Sequence, residues 1–150
     1  MEREVPYNII LVPIDGSDSA MSAIDHATAI AAVADAVLHV VHVIDRRIVM
    51  AADDDMRDEL ESSLTTEGQS ILNTARERVG TDAVPVETSL VSGTPSKEIL
   101  AQAESAGADL IVIGRSGKSP REKLMGMGSV SERVVDGAPV PVMVVRPSTD

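Results

Sequence analysis

The chain has no cysteine, no phenylalanine and no tryptophan, and Tyr7 is its single aromatic residue in 150 positions. Without cysteine there is neither a disulfide framework nor a thiolate metal site, and nothing argues for an oxidising compartment. Without aromatics, exposed bases find almost nothing to stack on. A net charge of −11 adds repulsion from a phosphate backbone, so no nucleic-acid partner is expected. No apolar stretch approaches the length of a bilayer crossing, and Met1-Glu2-Arg3-Glu4 lacks the basic-then-apolar signature of a signal peptide. No membrane association and a cytoplasmic location are therefore the expectations. One domain over residues 1–150 is the simplest organisation for this length.

What is present alternates. Apolar runs at Asn8 to Ile14, Ala36 to Ile44, Val84 to Val91, Leu110 to Ile113 and Val140 to Val145 are separated by segments with apolar residues at helical spacing. That alternation predicts an α/β fold with a doubly wound, five-stranded parallel sheet. The third run alone alternates cleanly, through Val84, Val86, Thr88 and Leu90, as expected of an edge or half-covered strand. Helices are expected around Ala20, Ile24, Ala27 and Ala31, then from Leu60 to Val79, then from a cap at Thr94 with Pro95 in the first turn to Gly107. The acidic run Asp53-Asp54-Asp55 before the second of these suits a helix dipole and needs no metal to explain it.

The fourth run opens directly into Gly114-Arg115-Ser116-Gly117, and Gly128-Ser129-Val130 follows after ten residues. A buried strand leading to a glycine-rich loop and then to a helix start is a place where backbone N–H groups converge on phosphate. Arg115, Lys118, Arg121 and Lys123 bring four of the thirteen basic residues into nine positions of an acidic chain. A charge run alone reads as a solvated loop; strand, glycines and charge together read as a polyphosphate site. With so few aromatics, a base would have to lie between aliphatic side chains and backbone.

Asp15, in Pro13-Ile14-Asp15-Gly16-Ser17, ends the first strand, where ligands gather in open parallel sheets. It is placed to bind ribose hydroxyls or to stand near an Mg²⁺ carried in on phosphates; an Asp-Gly turn residue is the alternative. Ser129 with Glu132 reads as a capping box, compatible with a phosphate site at the same helix start. His26, His39 and His42 share no ligand spacing with carboxylates and read as packing residues. Gly117-Lys118-Ser119 is not the end of a Walker A loop, because Val112 stands where that pattern requires glycine. No nucleophile elbow and no dinucleotide fingerprint appear.

Taken in order, Val-Pro-Ile-Asp-Gly-Ser at 12–17, Leu-His-Val-Val-His-Val at 38–43, Gly-Thr-Pro-Ser-Lys-Glu-Ile at 93–99, Ala-Asp-Leu-Ile-Val-Ile-Gly at 108–114, the glycine motif and Pro-Val-Pro-Val-Met-Val-Val at 139–145 resemble the universal stress protein family, in its ATP-binding branch. The resemblance spans nearly the whole chain. It implies sheet order 3-2-1-4-5 with helices on both faces, and ATP or AMP as ligand, with Mg²⁺ as a possible companion. Adenine would lie near Pro13, Ile14, Asp15 and Val43. Ribose and phosphates would meet Gly114, Arg115, Gly117, Lys118, Ser119, Gly128, Ser129, Val130 and Ser131. The interval from Lys118 to Met127 is one residue longer than that branch's usual spacing, which touches the contacts at Ser119 and Pro120 first.

The implied function is a stress-response protein that acts as a nucleotide-dependent regulatory or interaction module, with hydrolysis slow or absent. A nucleotide-free interaction module and an adenine-nucleotide hydrolase are the alternatives. The implied order leaves the strand Val140 to Val145 at an edge, apolar and uninterrupted by lysine, so a homodimer through that strand is expected.

Overall fold

The computed structural model describes residues 7–80, 84–115 and 127–147. Five strands form one parallel sheet in the order β3-β2-β1-β4-β5, as expected: β1 is Ile9–Pro13, β2 Val37–Asp45, β3 Val86–Gly93, β4 Leu110–Gly114 and β5 Val142–Val145. Between them run α1 (Asp18–Ala34), α2 (Arg46–Ala51), a 3₁₀ turn at Asp54–Met56, α3 (Arg57–Val79), α4 (Pro95–Ala106) and α5 (Ser129–Gly137).

The helices divide between the two faces by the parity of the strand residues they cover. Ile10, Val12, Leu38, Val40 and Val112 point to the side where Ile24, Ala27 and Ala31 of α1 and Leu72 and Ala75 of α3 pack. Leu11, Val41, Ile111 and Ile113 point to the other, under Ile99 and Ala103 of α4 and Val134 of α5. Central strands covered on both faces read as unbroken apolar runs, whereas β3, at one edge, alternates.

Prolines set two boundaries that differ from expectation. β3 starts at Val86 rather than Val84, and β5 at Val142 rather than Val140. Pro85 and Pro141 have no N–H to give to a ladder. Each still contributes its carbonyl, which accepts from Leu38 N at 2.9 Å and from Ile111 N at 3.0 Å respectively. The short helix α2 was not expected; the Asp45 carboxylate caps it by accepting from Arg47 N. α4 begins and ends as expected, with Pro95 in its first turn and Gly107 closing it at φ 68°.

Two of the three histidines are half-buried and hydrogen-bonded. His42 Nδ1 donates to the Ile14 carbonyl at 2.8 Å, and His39 Nε2 pairs with Ser89 Oγ at 2.8 Å. His26 is exposed on α1, so packing does not account for it.

An ion pair ties α1 to α3: Arg78 Nε and Nη2 donate to the two Asp25 carboxylate oxygens at 2.8 and 2.7 Å. The hydrogen bonds from Arg78 hold the Asp25 carboxyl below its ordinary range, against the opposing effect of partial burial. Both side chains are nearly half exposed, so screening limits the pair to about 0.2–1 kcal/mol. A carboxyl with a depressed folded pKa contributes stability above its unfolded pKa of about 3.9 and loses it as pH falls through the folded value. Asp25→Asn is thus expected to lower the urea-unfolding free energy by no more than about 1 kcal/mol at neutral pH. At a pH below the folded pKa, the variant and the parent should unfold alike.

Candidate functional site

The carboxyl ends of β1, β2 and β4 enclose a cleft of about 220 Å³ together with the first turns of α4 and α5. It sits where the chain order reverses, with β2 on one side of β1 and β4 on the other, the position at which open parallel sheets bind ligands.

Its first wall is the β1–α1 turn. Ile14 N still donates to the Val41 carbonyl at 2.8 Å, which carries the sheet pairing one residue beyond the strand. The chain then turns through Gly16 at φ 84°, a left-handed value that glycine adopts freely. Asp15 Oδ1 accepts from Ser17 N at 2.9 Å, and Ser17 Oγ caps α1 by accepting from Ala20 N at 3.3 Å. Asp15 is therefore a turn residue and also a wall of the cleft; the two readings open in the sequence are compatible.

The second wall is the end of β4. A Cβ built on Gly114 would lie 2.6 Å from Ser19 Oγ and 2.8 Å from Ala20 N, so only glycine lets α1 pack this close. The Gly114 carbonyl accepts from the buried Ser131 hydroxyl at 2.6 Å, which fixes α5 to the strand end. Arg115 N donates to the Val145 carbonyl at 2.7 Å, and the Arg115 carbonyl accepts from Gly128 N at 2.8 Å. Arg115 thus ties β4 to β5 and to the start of α5.

Here the structure corrects the capping box. Gly128, not Ser129, is the N-cap of α5, with extended backbone angles of −68° and 158° and no side-chain cap. Ser129 is the first helical residue. The first intrahelical bond runs from Glu132 N to the Gly128 carbonyl at 3.0 Å, so the N–H groups of Ser129, Val130 and Ser131 precede it and have no partner within the helix. The partial positive charge of the helix end lies at the cleft, because Gly128, Val130 and Ser131 line it.

Of the residues singled out in the sequence, the cleft brings together Pro13, Ile14, Asp15, Val43, Gly114, Gly128, Val130 and Ser131. Arg115 and Ser129 adjoin it without lining it. Gly117, Lys118 and Ser119 lie outside the described residues, as do Arg121 and Lys123. Seven lining residues were missed: Val41, Asp45, Pro95, Ile99, Ile113, Ser17 and Ala20. Strand periodicity would have found the first two, since Val41, Val43 and Asp45 are spaced by two. Pro95 and Ile99 are one helical turn apart at the start of α4. The apolar part of the lining is aliphatic, in a chain whose single aromatic residue is Tyr7.

Asp45, the last residue of β2, adds a charge to the lining of the cleft. Arg47 donates to it through Nε at 2.9 Å and Nη2 at 2.7 Å, and these bonds hold its carboxyl below the ordinary range. Among the described residues no three His, Asp or Glu side chains gather where a metal ion could sit. No helix among them is long and apolar enough to cross a membrane.

Residues 6–146 match the model of the universal stress protein family. Universal stress protein MJ0531 of Methanocaldococcus jannaschii is 37% identical over 141 residues, covering 93% of this chain and 82% of its own. The solved structure of MJ0577, a universal stress protein of the same organism, superposes with a TM-score of 0.83 at 31% identity, covering 97% of this chain and all of that one. A universal stress protein solved in complex with cAMP superposes with a TM-score of 0.72 at 26% identity, over 96% of this chain and all of that one.

Proposed function

Because the chain belongs to the universal stress protein family, we propose that it binds ATP or AMP in the cleft at the ends of β1, β2 and β4 and acts as a nucleotide-dependent regulatory or interaction module of the cytoplasm. The observation that carries this reading is the lining of the cleft. Val41, Val43, Pro95 and Ile99 give it an aliphatic lining on the β2 and α4 side, together with the Asp45 carboxylate, and the N-terminus of α5 lines it as well. A nucleotide has parts to match both, an apolar base and anionic phosphate. A family member solved in complex with cAMP supports an adenine nucleotide as the class of ligand.

In this reading the N–H groups of Ser129, Val130 and Ser131 face the phosphates, and Asp15 is positioned for ribose hydroxyls. Gly117, Lys118 and Ser119 belong to the phosphate side of the proposal, and Mg²⁺ would arrive on the phosphates rather than at a resident protein site. No histidine lines the cleft among the described residues, and its carboxylates, Asp15 and Asp45, come from the ends of β1 and β2 rather than from the start of α5, so hydrolysis is not the function we assign. Mass spectrometry of small molecules released by denaturing the purified chain tests the assignment. A co-purifying adenine nucleotide supports it. A nucleotide-free protein that also fails to take up added ATP would favour the interaction module without ligand, and rapid turnover would favour the hydrolase.

The homodimer is part of the same proposal. β5 pairs only with β4 among the described strands, leaving its other edge open, and Met143 on it is 38% exposed. Pairing with the same strand of a second copy would close that edge about a two-fold axis. Sedimentation equilibrium is expected to give roughly twice the chain mass of 15.8 kDa. Met143→Lys should shift it toward one chain; a parent protein that sediments as a monomer at micromolar concentration removes the interface.

A further inference from the structure

A second surface, which shares no lining residue with the cleft, carries features the nucleotide reading leaves unused. Of the six large hydrophobic residues that stand exposed among those described, Ile48, Met50 and Met56 fall within nine positions, each at least half exposed. Met56 lines a shallow groove where the chain leaves α2 and enters α3, together with Ala52, Asp53, Glu59, Leu60 and Ser63, and Ile48 and Met50 stand on α2 just before it in the chain. Val49 is the only buried residue of α2, so most of that helix presents itself to solvent.

The rim of this groove is strongly acidic. Residues 53–61 contain Asp53, Asp54, Asp55, Asp58, Glu59 and Glu61 against Arg57 alone, a net charge of −5 out of −11 for the whole chain. Arg57 offers little neutralisation outward, since its guanidinium is turned back on Asp54 at 2.6 Å and on the carbonyls of Ala52 and Met50 at 3.2 and 3.0 Å. An apolar floor bounded by unneutralised carboxylates excludes anionic occupants. Nucleic acid and anionic lipid would be repelled, and so would the same face of a second copy. Methionines, flexible and polarisable, suit a surface that moulds itself to an incoming helix.

We propose that this groove docks a cationic amphipathic helix of a partner protein, its apolar stripe seated on Met50, Met56 and Leu60 and its lysines or arginines meeting Asp53, Glu59 and their neighbours. The proposal does not depend on nucleotide binding. It identifies the partner by chemistry: a helix with one apolar face and basic residues beside it.

The test is an amide chemical-shift titration of the full-length isotopically labelled chain with a synthetic Leu/Lys peptide patterned as an amphipathic helix. A scrambled peptide of the same composition serves as control. Shifts are expected to centre on residues 46–63, with the patterned peptide binding at least about tenfold more tightly than the scrambled one. Glu59→Lys and the double variant Met50→Ser, Met56→Ser should each weaken binding by a similar factor. All three sites are exposed, so melting curves should be unchanged and a folding defect would be visible if present. Equal binding of the scrambled peptide, or full binding by the serine variant, would mean charge attraction alone and overturn the proposal. So would shifts centred elsewhere, or none at millimolar peptide. Concentration-dependent shifts of the same amides without peptide would assign the groove to a second copy instead.

Discussion

Gly114→Ala is expected to destabilise the chain by about 1–3 kcal/mol, the usual cost of forcing an extra methyl group into a close-packed contact. The added Cβ would come within 2.8 Å of Ala20 N and of the Ser19 carbonyl carbon, both main-chain atoms of the first turn of α1. A side chain can rotate away from such a contact; a helix backbone has to move as a whole. Moving α1 also disturbs Ser17 and Ala20, which line the cleft, so nucleotide affinity should fall in the fraction that still folds. Urea unfolding checks the first effect and calorimetric titration of the folded variant the second. An unfolding free energy equal to the parent's would mean that α1 and β4 are not this close.

Ser129→Pro is expected to separate binding from folding. Ser129 is the first residue of α5, a position at which proline is favoured because its missing N–H had no helical partner. The preceding residue, Gly128, already has the extended angles of −68° and 158° that a following proline demands. The helix should therefore form as before, with a melting temperature within a few degrees of the parent's. What is lost is one N–H donor and one hydroxyl at the helix end. A hydrogen bond to a charged group contributes about 1.5–3 kcal/mol, so affinity for ATP should fall by roughly 10- to 100-fold. Unchanged affinity in a variant with a normal melt would show that the start of α5 does not hold phosphate.

Most of the sheet was legible because fully covered strands and one-sided helices leave different spacings. Leu110 to Ile113 could be read as a buried strand, and Ala20 to Ala31 as one helix face, from residue order alone. Strand ends were less legible. Pro85 and Pro141 are consistent with either side of a boundary until the hydrogen-bonding partner of their carbonyls is known. The capping box at Ser129 misled for a similar reason. Glycine is nearly as acceptable as threonine at an N-cap, and it is Gly128, held by the Arg115 carbonyl, that occupies the position.

The cleft was half legible. Asp15 and Gly114 stand at strand ends and announce themselves. Pro95 and Ile99 come from a helix whose approach to Val41 and Val43 depends on packing across the sheet, which no local pattern encodes. Asp45 was visible in principle, since it continues the period-two series from Val41, but its role as the cap of an unexpected helix hid it.

The most direct measurement of the central claim is isothermal titration of ATP into the chain after any bound nucleotide has been stripped by unfolding and refolding. The account predicts saturable binding of one ATP per chain, competed by AMP. A correctly refolded chain that shows no saturable binding of either nucleotide at millimolar concentration would contradict it.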